Sequence, residues 1–277
     1  MKKLLTLVLA LALAASTSLA SAEGLKKIVI GATATPHAEV LELVKDDLKA
    51  LGYELEITVF TEYPLPNPAL AAGELDANYF QHLPYLDAYN VTVPENEQLV
   101  PAFAVHYEPY GIYAGKTKTL EELKEGGIIT ITNDPSNETR ALLLLEEAGL
   151  IKLPEDATPA DSLTVLDISE NPLKLDIKEV EASTLPATLA DADFAVINGN
   201  YALGAGLNPS TDAVFLEPAN SDAGKTYANY VVIRKADLEA DFVKALQSVL
   251  QTKKVYDFIL NNEAYKGGVI PTFTPAE

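Results

Sequence analysis

Residues 27–60 read KIVIGATATPHAEVLELVKDDLKALGYELEITVF. Lys27 to Gly31 is a short run centred on β-branched residues that leads into a turn, as a strand does. From Ala38 to Leu51 the apolar residues Val40, Leu41, Val44, Leu48 and Leu51 recur at helical spacing, and Gly52 closes the run. Leu55 to Phe60 is the next strand. A strand, a helix and a strand in this order predict a βαβ unit, and the turn after its first strand is where such folds place ligands.

The alternation continues downstream. Strands are expected at Ile112–Ala114, Gly127–Asn133, Leu163–Ile168, Leu175–Glu181, Phe194–Asn198, Ala213–Leu216 and Asn229–Arg234. Helices are expected at Leu120–Lys124 and Thr139–Ala148, with a long one at Asp237–Asn261. This is the pattern of an α/β protein. No Gly/Ser linker separates two units, so the chain is expected to cross more than once between lobes, near Tyr107–Ala114 and Leu216–Thr226.

The first residues read as an address. Lys2 and Lys3 precede an apolar run from Leu4 to Ala15, and Ala20-Ser21-Ala22 is a small-x-small cleavage signal. The run is short of the roughly 20 residues that span a bilayer, so export with cleavage after Ala22 is expected. Loss of Lys2 and Lys3 would take the net charge from −20 to −22. Such a balance argues against nucleic acid, whose phosphates need a basic face, and against anionic lipid surfaces. The chain has no cysteine, which excludes disulfides and thiol chemistry.

Asn133-Asp134-Pro135-Ser136-Asn137-Glu138-Thr139-Arg140 ends a strand, turns, and opens a helix. Ser136 or Asn137 is expected as the cap, with Arg140 in the first turn. A cation there opposes the helix dipole. Arg140 and Arg234 are the two arginines, against eighteen lysines. A forked donor near free backbone N–H groups suits a carboxylate held bidentately. The plainer reading pairs Arg140 with Glu138 or another surface acid, and both stay open. Asn198 and Asn229 stand at the ends of strands, either as turn residues or facing a cleft.

His37, His82 and His106 share no metal-ligand spacing, and no cysteine completes a zinc site. No G-x-S-x-G marks a nucleophile, and neither Gly115-Lys116-Thr117 nor Gly224-Lys225-Thr226 has the upstream glycine of a P-loop. No catalytic residue, metal or cofactor is therefore expected. Residues 77–89, ANYFQHLPYLDAY, concentrate four aromatics and His82 around Pro84. They read as a loop-to-helix corner facing a cleft, with Tyr79 and Tyr89 left to packing.

Taken jointly, four stretches carry a family likeness: Tyr63-Pro64-Leu65-Pro66-Asn67, Asp76 to Leu86, Asn133 to Asn137 with Arg140, and Ala195-Val196-Ile197-Asn198. The chain resembles the methionine-binding NlpA/MetQ-type substrate-binding proteins of bacterial ABC importers. The resemblance implies a type II-like periplasmic-binding-protein fold: two α/β lobes joined by a two-crossing hinge, with a ligand cleft between them. Lobe I would comprise 23–110 and 226–277, and lobe II 111–225. It also implies that Tyr63, Phe80, His82 and Tyr85 surround a thioether side chain, that Arg140 clamps the ligand carboxylate, and that Asn198 and Asn229 fix its backbone atoms. A polarizable sulfur suits an aromatic cage.

The function so implied is capture of methionine, or a close relative, and delivery to an ABC permease driven by a separate ATPase. The protein would act as a monomer and not as an enzyme. The rivals are a binder of another amino acid, a dipeptide or a small organic anion, an exported enzyme using His82, and a surface adhesin. Family members are commonly tethered by a lipid on a cysteine after the signal. Ala22-Glu23 stands at that point here, so a free periplasmic or cell-surface protein is expected.

Overall fold

The computed structural model describes residues 24–218 and 223–275. The expected signal segment, 1–22, lies outside the described residues. Among them, no helix is long and apolar enough to cross a membrane.

The opening βαβ unit forms as β1 (Lys26–Ala32), α1 (Glu39–Leu43), α2 (Lys45–Ala50) and β2 (Tyr53–Val59). β1 and β2 pair in parallel from Lys26↔Tyr53 to Ala32↔Val59. The single expected helix is broken at Val44, whose backbone (φ −103°, ψ 5°) leaves the α region. Val40, Leu41, Val44 and Leu48 are still fully buried, because the break keeps one apolar face on the sheet.

Next come α3 (Pro66–Ala71), β3 (Ala77–His82), α4 (Leu83–Asn90) and β4 (Leu99–Tyr107). The second sheet is built from β5 (Gly111–Ala114), β6 (Ile128–Thr132), β7 (Asp176–Val180), β8 (Phe194–Ile197) and β9 (Ala213–Leu216). α5 (Pro135–Glu147) follows β6, and α6 (Gly199–Gly204) follows β8. The chain then returns through β10 (Ala228–Arg234), α7 (Asp241–Leu250), α8 (Lys253–Asn261) and β11 (Ile270–Pro271).

The six-stranded sheet runs β11-β4-β10-β3-β1-β2, and the five-stranded sheet runs β7-β6-β8-β5-β9. The chain passes from the first sheet to the second between β4 and β5, and back between β9 and β10. Each sheet has its own core. Ile28, Ile30, Leu48, Val231, Leu246 and Ile259 belong to the first, and Ile129, Ile131, Leu142, Leu145, Phe194 and Val196 to the second. A fully buried aliphatic side chain contributes about 1.5–3 kcal/mol, so either sheet has the means to hold its helices.

Four expectations are corrected. Residues 77–82 form a strand in the middle of the first sheet, between β10 and β1, so the corner is strand to helix. All six of its residues are buried, which hides any alternation. Leu163–Ile168 is not a strand: it holds a 3₁₀ turn at Val165–Asp167 closed by a Thr164/Asp167 capping box. The long C-terminal helix is two helices, because Thr252 caps α8 by accepting a bond from the Val255 N–H and Gln251 turns away to donate to the Ala104 carbonyl at 2.9 Å. Finally, α5 starts at Pro135, capped by Asp134 rather than Ser136 or Asn137. Arg140 therefore lies in its second turn.

Candidate functional site

All seven expected site residues, Tyr63, Phe80, His82, Tyr85, Arg140, Asn198 and Asn229, line one cavity between the two sheets. Its free volume is small, with about 20 Å³ open to a water-sized sphere. β3 and the first turn of α4 present Phe80, His82 and Tyr85, and β10 presents Asn229. From the other side α5 contributes Arg140, and the end of β8 contributes Asn198. His37, Gln81, Glu108, Asn137, Gly199 and Asn200 complete the wall. Sequence reasoning missed these six, although His37 lies in the turn after β1 that a βαβ unit marks for ligands.

The apolar end is a cluster of rings. The Tyr63 centroid lies 6.0 Å from Phe80, 5.8 Å from Tyr85 and 4.8 Å from Tyr201, and Phe80 and Tyr85 meet edge to face at 5.7 Å. Tyr63 and Phe80 are buried. Such rings offer polarizable apolar surface with few hydrogen-bonding demands.

His82 ends β3 and caps α4: its Nδ1 accepts the Tyr85 N–H at 3.2 Å. That bond leaves the proton on Nε2, which donates to Asn137 Oδ1 at 3.0 Å across the cavity. Burial, with the nearby Arg140 charge, lowers the His82 pKa to about 3, so the ring is a neutral donor. Asn137 Oδ1 also accepts from Asn198 Nδ2 at 3.0 Å. The Asn137 amide in turn donates to both oxygens of Asp134, at 2.9 and 3.1 Å. The helix cap thus orients a side chain that joins the two walls.

Arg140 is paired, but not with Glu138. Its Nε donates to Glu217 Oε1 at 3.1 Å and its Nη2 donates to Glu217 Oε2. Nη2 also reaches the Glu108 carbonyl at 2.9 Å. Both members of the pair are buried. Burial alone would raise the Glu217 pKa, but the Arg140 charge and the hydrogen bonds from Arg140 and Tyr107 hold it below the usual carboxylate range. The guanidinium carbon lies 4.0 Å from the centroid of Tyr227 and 4.9 Å from that of Tyr110, a cation–π cradle. The fork is spent on Glu217, and only Nη1 stands outside these bonds.

Beside Arg140 lies a second polar group. His106 Nε2 is 2.7 Å from Glu108 Oε1, and His37 Nε2 is 3.5 Å from the same oxygen and 3.1 Å from Asn229 Oδ1. Tyr79 O–H meets His106 Nδ1, and Thr33 O–H meets His37 Nδ1 at 2.7 Å. Burial lowers the pKa of His37 to about 4 and of His106 to about 3, and raises that of Glu108. Donor atoms of His37, His106 and Glu108 lie within 4.8 Å of one another. Each is already in a hydrogen bond or close polar contact within this group, so the three read as a hydrogen-bonded relay rather than a ligand set.

The backbone of α6 closes over Glu108. A Cβ on Gly199 would lie 2.7 Å from Glu108 Cβ and 2.7 Å from its Oε2, so glycine permits the approach. Tyr63 O–H donates to Asn200 Oδ1, and Tyr201 O–H donates to the Thr61 carbonyl at 2.9 Å, which ties α6 to the first sheet.

With this geometry in hand, the comparisons with known proteins are specific. The chain is 42% identical to the methionine-binding lipoprotein MetQ of Bacillus subtilis, over 98% of this chain and 99% of that one. Among solved structures, a nutrient-binding protein from Burkholderia cenocepacia bound to methionine superposes with a TM-score of 0.83 at 41% identity, covering 89% of this chain and all of the other (100%). A periplasmic substrate-binding protein of an ABC transporter from Coxiella burnetii gives a TM-score of 0.80 at 39% identity, covering 88% of this chain and 100% of the other. The family model described as NlpA lipoprotein matches residues 28–273, and the chain belongs to the NlpA lipoprotein family.

Proposed function

We propose that the protein is an extracytoplasmic solute-binding protein that captures methionine and passes it to an ABC permease. The observation that carries this reading is the polarity of this cavity. Tyr63, Phe80 and Tyr85 form an aromatic end, while Arg140, Asn198 and Asn229 lie at a polar one. An amino acid with an apolar, sulfur-bearing side chain matches both ends. The methionine-bound relative from Burkholderia cenocepacia supports the assignment.

In this role the aromatic rings enclose the thioether, Arg140 Nη1 meets the ligand carboxylate, and His82 acts by hydrogen bonding rather than by proton transfer. The lobes are residues 23–110 with 226–277, and 111–225. They close on the ligand, whose contacts with both walls favour the closed state. The protein acts as a monomer, its ATPase is a separate subunit, and it carries out no turnover itself. The chain holds no cysteine to take a thioether-linked lipid, which supports export without such a tether.

Isothermal titration calorimetry with L-methionine and D-methionine tests the reading, alongside native mass spectrometry of the purified protein. Binding of at least one enantiomer at micromolar or lower Kd is expected. Failure of both, with a different small molecule carried through purification, would overturn the substrate.

A further inference from the structure

The aromatic end of the cavity is ringed by acids that an uncharged thioether leaves without a counter-ion. Tyr63 and Tyr85 form a partition there. On one side lies the ligand cavity, and on the other an outer pocket between α4 and the turn from β6 to α5. That pocket has about 370 Å³ open to a water-sized sphere, and Asp134 and Glu181 line it. Glu62 stands next to Tyr63 in the chain. Among the described residues, none of these three acids is in an ion pair.

The field of the acids reaches the rings. Burial, with the charges of Asp134 and Glu181, raises the pKa of the Tyr85 hydroxyl, and burial with Glu181, Asp134 and Glu62 does the same to Tyr201. Burial and the charges of Glu62 and Asp134 also push the Glu181 carboxyl up. Asp134 takes its hydrogen bonds from neutral groups, those of Thr132, Ser136 and Asn137. Inside the cavity Arg140 is cancelled by Glu217 and His82 is neutral. The rings add to the same sign, because an aromatic face carries negative potential and attracts a cation within about 6 Å of its centroid. Phe80, Tyr85 and Tyr201 all lie 4.8–6.0 Å from Tyr63.

We propose that the aromatic end is a sulfonium site as well as a thioether site, so that the protein also takes amino acids whose side-chain sulfur bears a third carbon and a permanent positive charge. Resting on the reading that these rings enclose the ligand sulfur, this adds a second ligand class. Tyr63, Phe80 and Tyr85 supply the ring faces, and Asp134 and Glu181 the opposing charge behind them. A sulfonium has no N–H or O–H to donate, which suits an end whose hydroxyls are committed elsewhere: Tyr63 donates to Asn200, and Tyr201 to the Thr61 carbonyl. The added methyl needs space. Tyr85 is half-buried and has the outer pocket behind it.

Calorimetry of the purified protein with racemic methionine, S-methylmethionine and homoleucine tests this. Homoleucine puts a CH where S-methylmethionine has its charged sulfur, so these two differ in charge and hardly in shape. The wild type is expected to bind S-methylmethionine about tenfold or more tightly than homoleucine, the scale of one desolvated cation–π contact. Glu181→Gln, and Tyr85→Leu with an apolar wall but no ring face, are each expected to cut that ratio about threefold or more. A smaller wild-type ratio overturns the sulfonium site, as does a wild type that takes neither ligand, or folded variants that both keep the wild-type ratio. If S-methylmethionine is preferred to homoleucine but methionine does not bind, the methionine reading fails and the sulfonium site stands. If methionine binds and the charge gains nothing, the sulfonium site fails and the methionine reading stands. If none of the three binds, both fail.

Discussion

Glu217 takes two donors of Arg140, Nε and Nη2, at the place where the two crossings between the sheets meet. The same carboxylate accepts the Tyr107 hydroxyl at 2.5 Å and the Tyr110 N–H at 3.2 Å, and the Glu217 N–H returns to the Tyr110 carbonyl at 2.9 Å. One acid therefore ties the first crossing, the second crossing and α5 together. Of the two readings that the sequence left open for Arg140, a ligand carboxylate or an acidic side chain, the structure shows the second, with Glu217 as the acid.

Glu217→Gln removes the charge partner of a buried guanidinium. Breaking such a pair from one side typically costs 3–5 kcal/mol. The midpoint of thermal unfolding is expected to fall by several degrees, and ligand affinity with it, since Arg140 loses its anchor. A variant with wild-type stability would show that Tyr107, Tyr110 and Tyr227 suffice to hold Arg140. Arg140→Lys, unable to reproduce the fork, is expected to weaken binding roughly tenfold or more, the loss of one charge-assisted contact worth about 1.5–3 kcal/mol.

Gly199→Ala brings a methyl group into Glu108, 2.7 Å from both its Cβ and its Oε2. Gly199 opens α6, where the helical backbone tolerates alanine. The variant is expected to keep its fold and lose affinity by tenfold or more. Calorimetry beside circular dichroism separates the two, and unchanged affinity would mean that Glu108 can move aside without loss.

Asn137→Ala deprives two buried donors, His82 Nε2–H and Asn198 Nδ2, of their shared acceptor. An unmet buried donor costs about 1–3 kcal/mol. Stability and affinity are both expected to drop, and Asn137→Asp, which keeps the acceptor but sets a second carboxylate against Asp134, is expected to lose as much or more at neutral pH. Wild-type stability of Asn137→Ala, measured by denaturant unfolding, would count against the bridging role.

The histidines make acid stability testable. Burial lowers the His106 pKa from its ordinary value near 6.5 to about 3, so the unfolded chain binds this proton first. Its contribution is present in full above pH 6.5 and declines as the pH falls toward 3, at about 1.4 kcal/mol per pH unit. His106→Gln lacks that titration. The stability gap between wild type and variant is therefore expected to narrow from pH 7 to pH 4, as read from urea unfolding at each pH. A gap independent of pH would show that His106 is charged in the folded protein.

The parts of the molecule that read clearly in the sequence are the amphipathic helices and the strands with an uninterrupted apolar or β-branched run. α1, α2 and α7 carry apolar stripes, and their packing against the first sheet follows from them. β5, β7 and β9 lie within a residue of where the β-branched runs put them. β3 was missed because its buried residues include Asn78, Gln81 and His82 and no β-branched side chain, whereas the equally buried β8 is an unbroken apolar run. The break at Gln251 and Thr252 was missed because the apolar stripe continues across it, while a cap and one side-chain bond to Ala104 divide the helix.

The sequence by itself determined the α/β class and the family likeness, and it placed Tyr63, Phe80, His82, Tyr85, Arg140, Asn198 and Asn229 on a shortlist. The class follows from local period and turn chemistry, and the shortlist from the family resemblance carried by motifs contiguous in the chain. Only the tertiary structure decided what the shortlisted groups bond to. Arg140 meets Glu217 across 77 positions, His37 meets Asn229 across 192, and Asn137 joins His82 to Asn198 across 55 and 61. Such pairings depend on which strand ends the two sheets bring together, and a buried polar group takes whichever partner the fold puts within 3 Å.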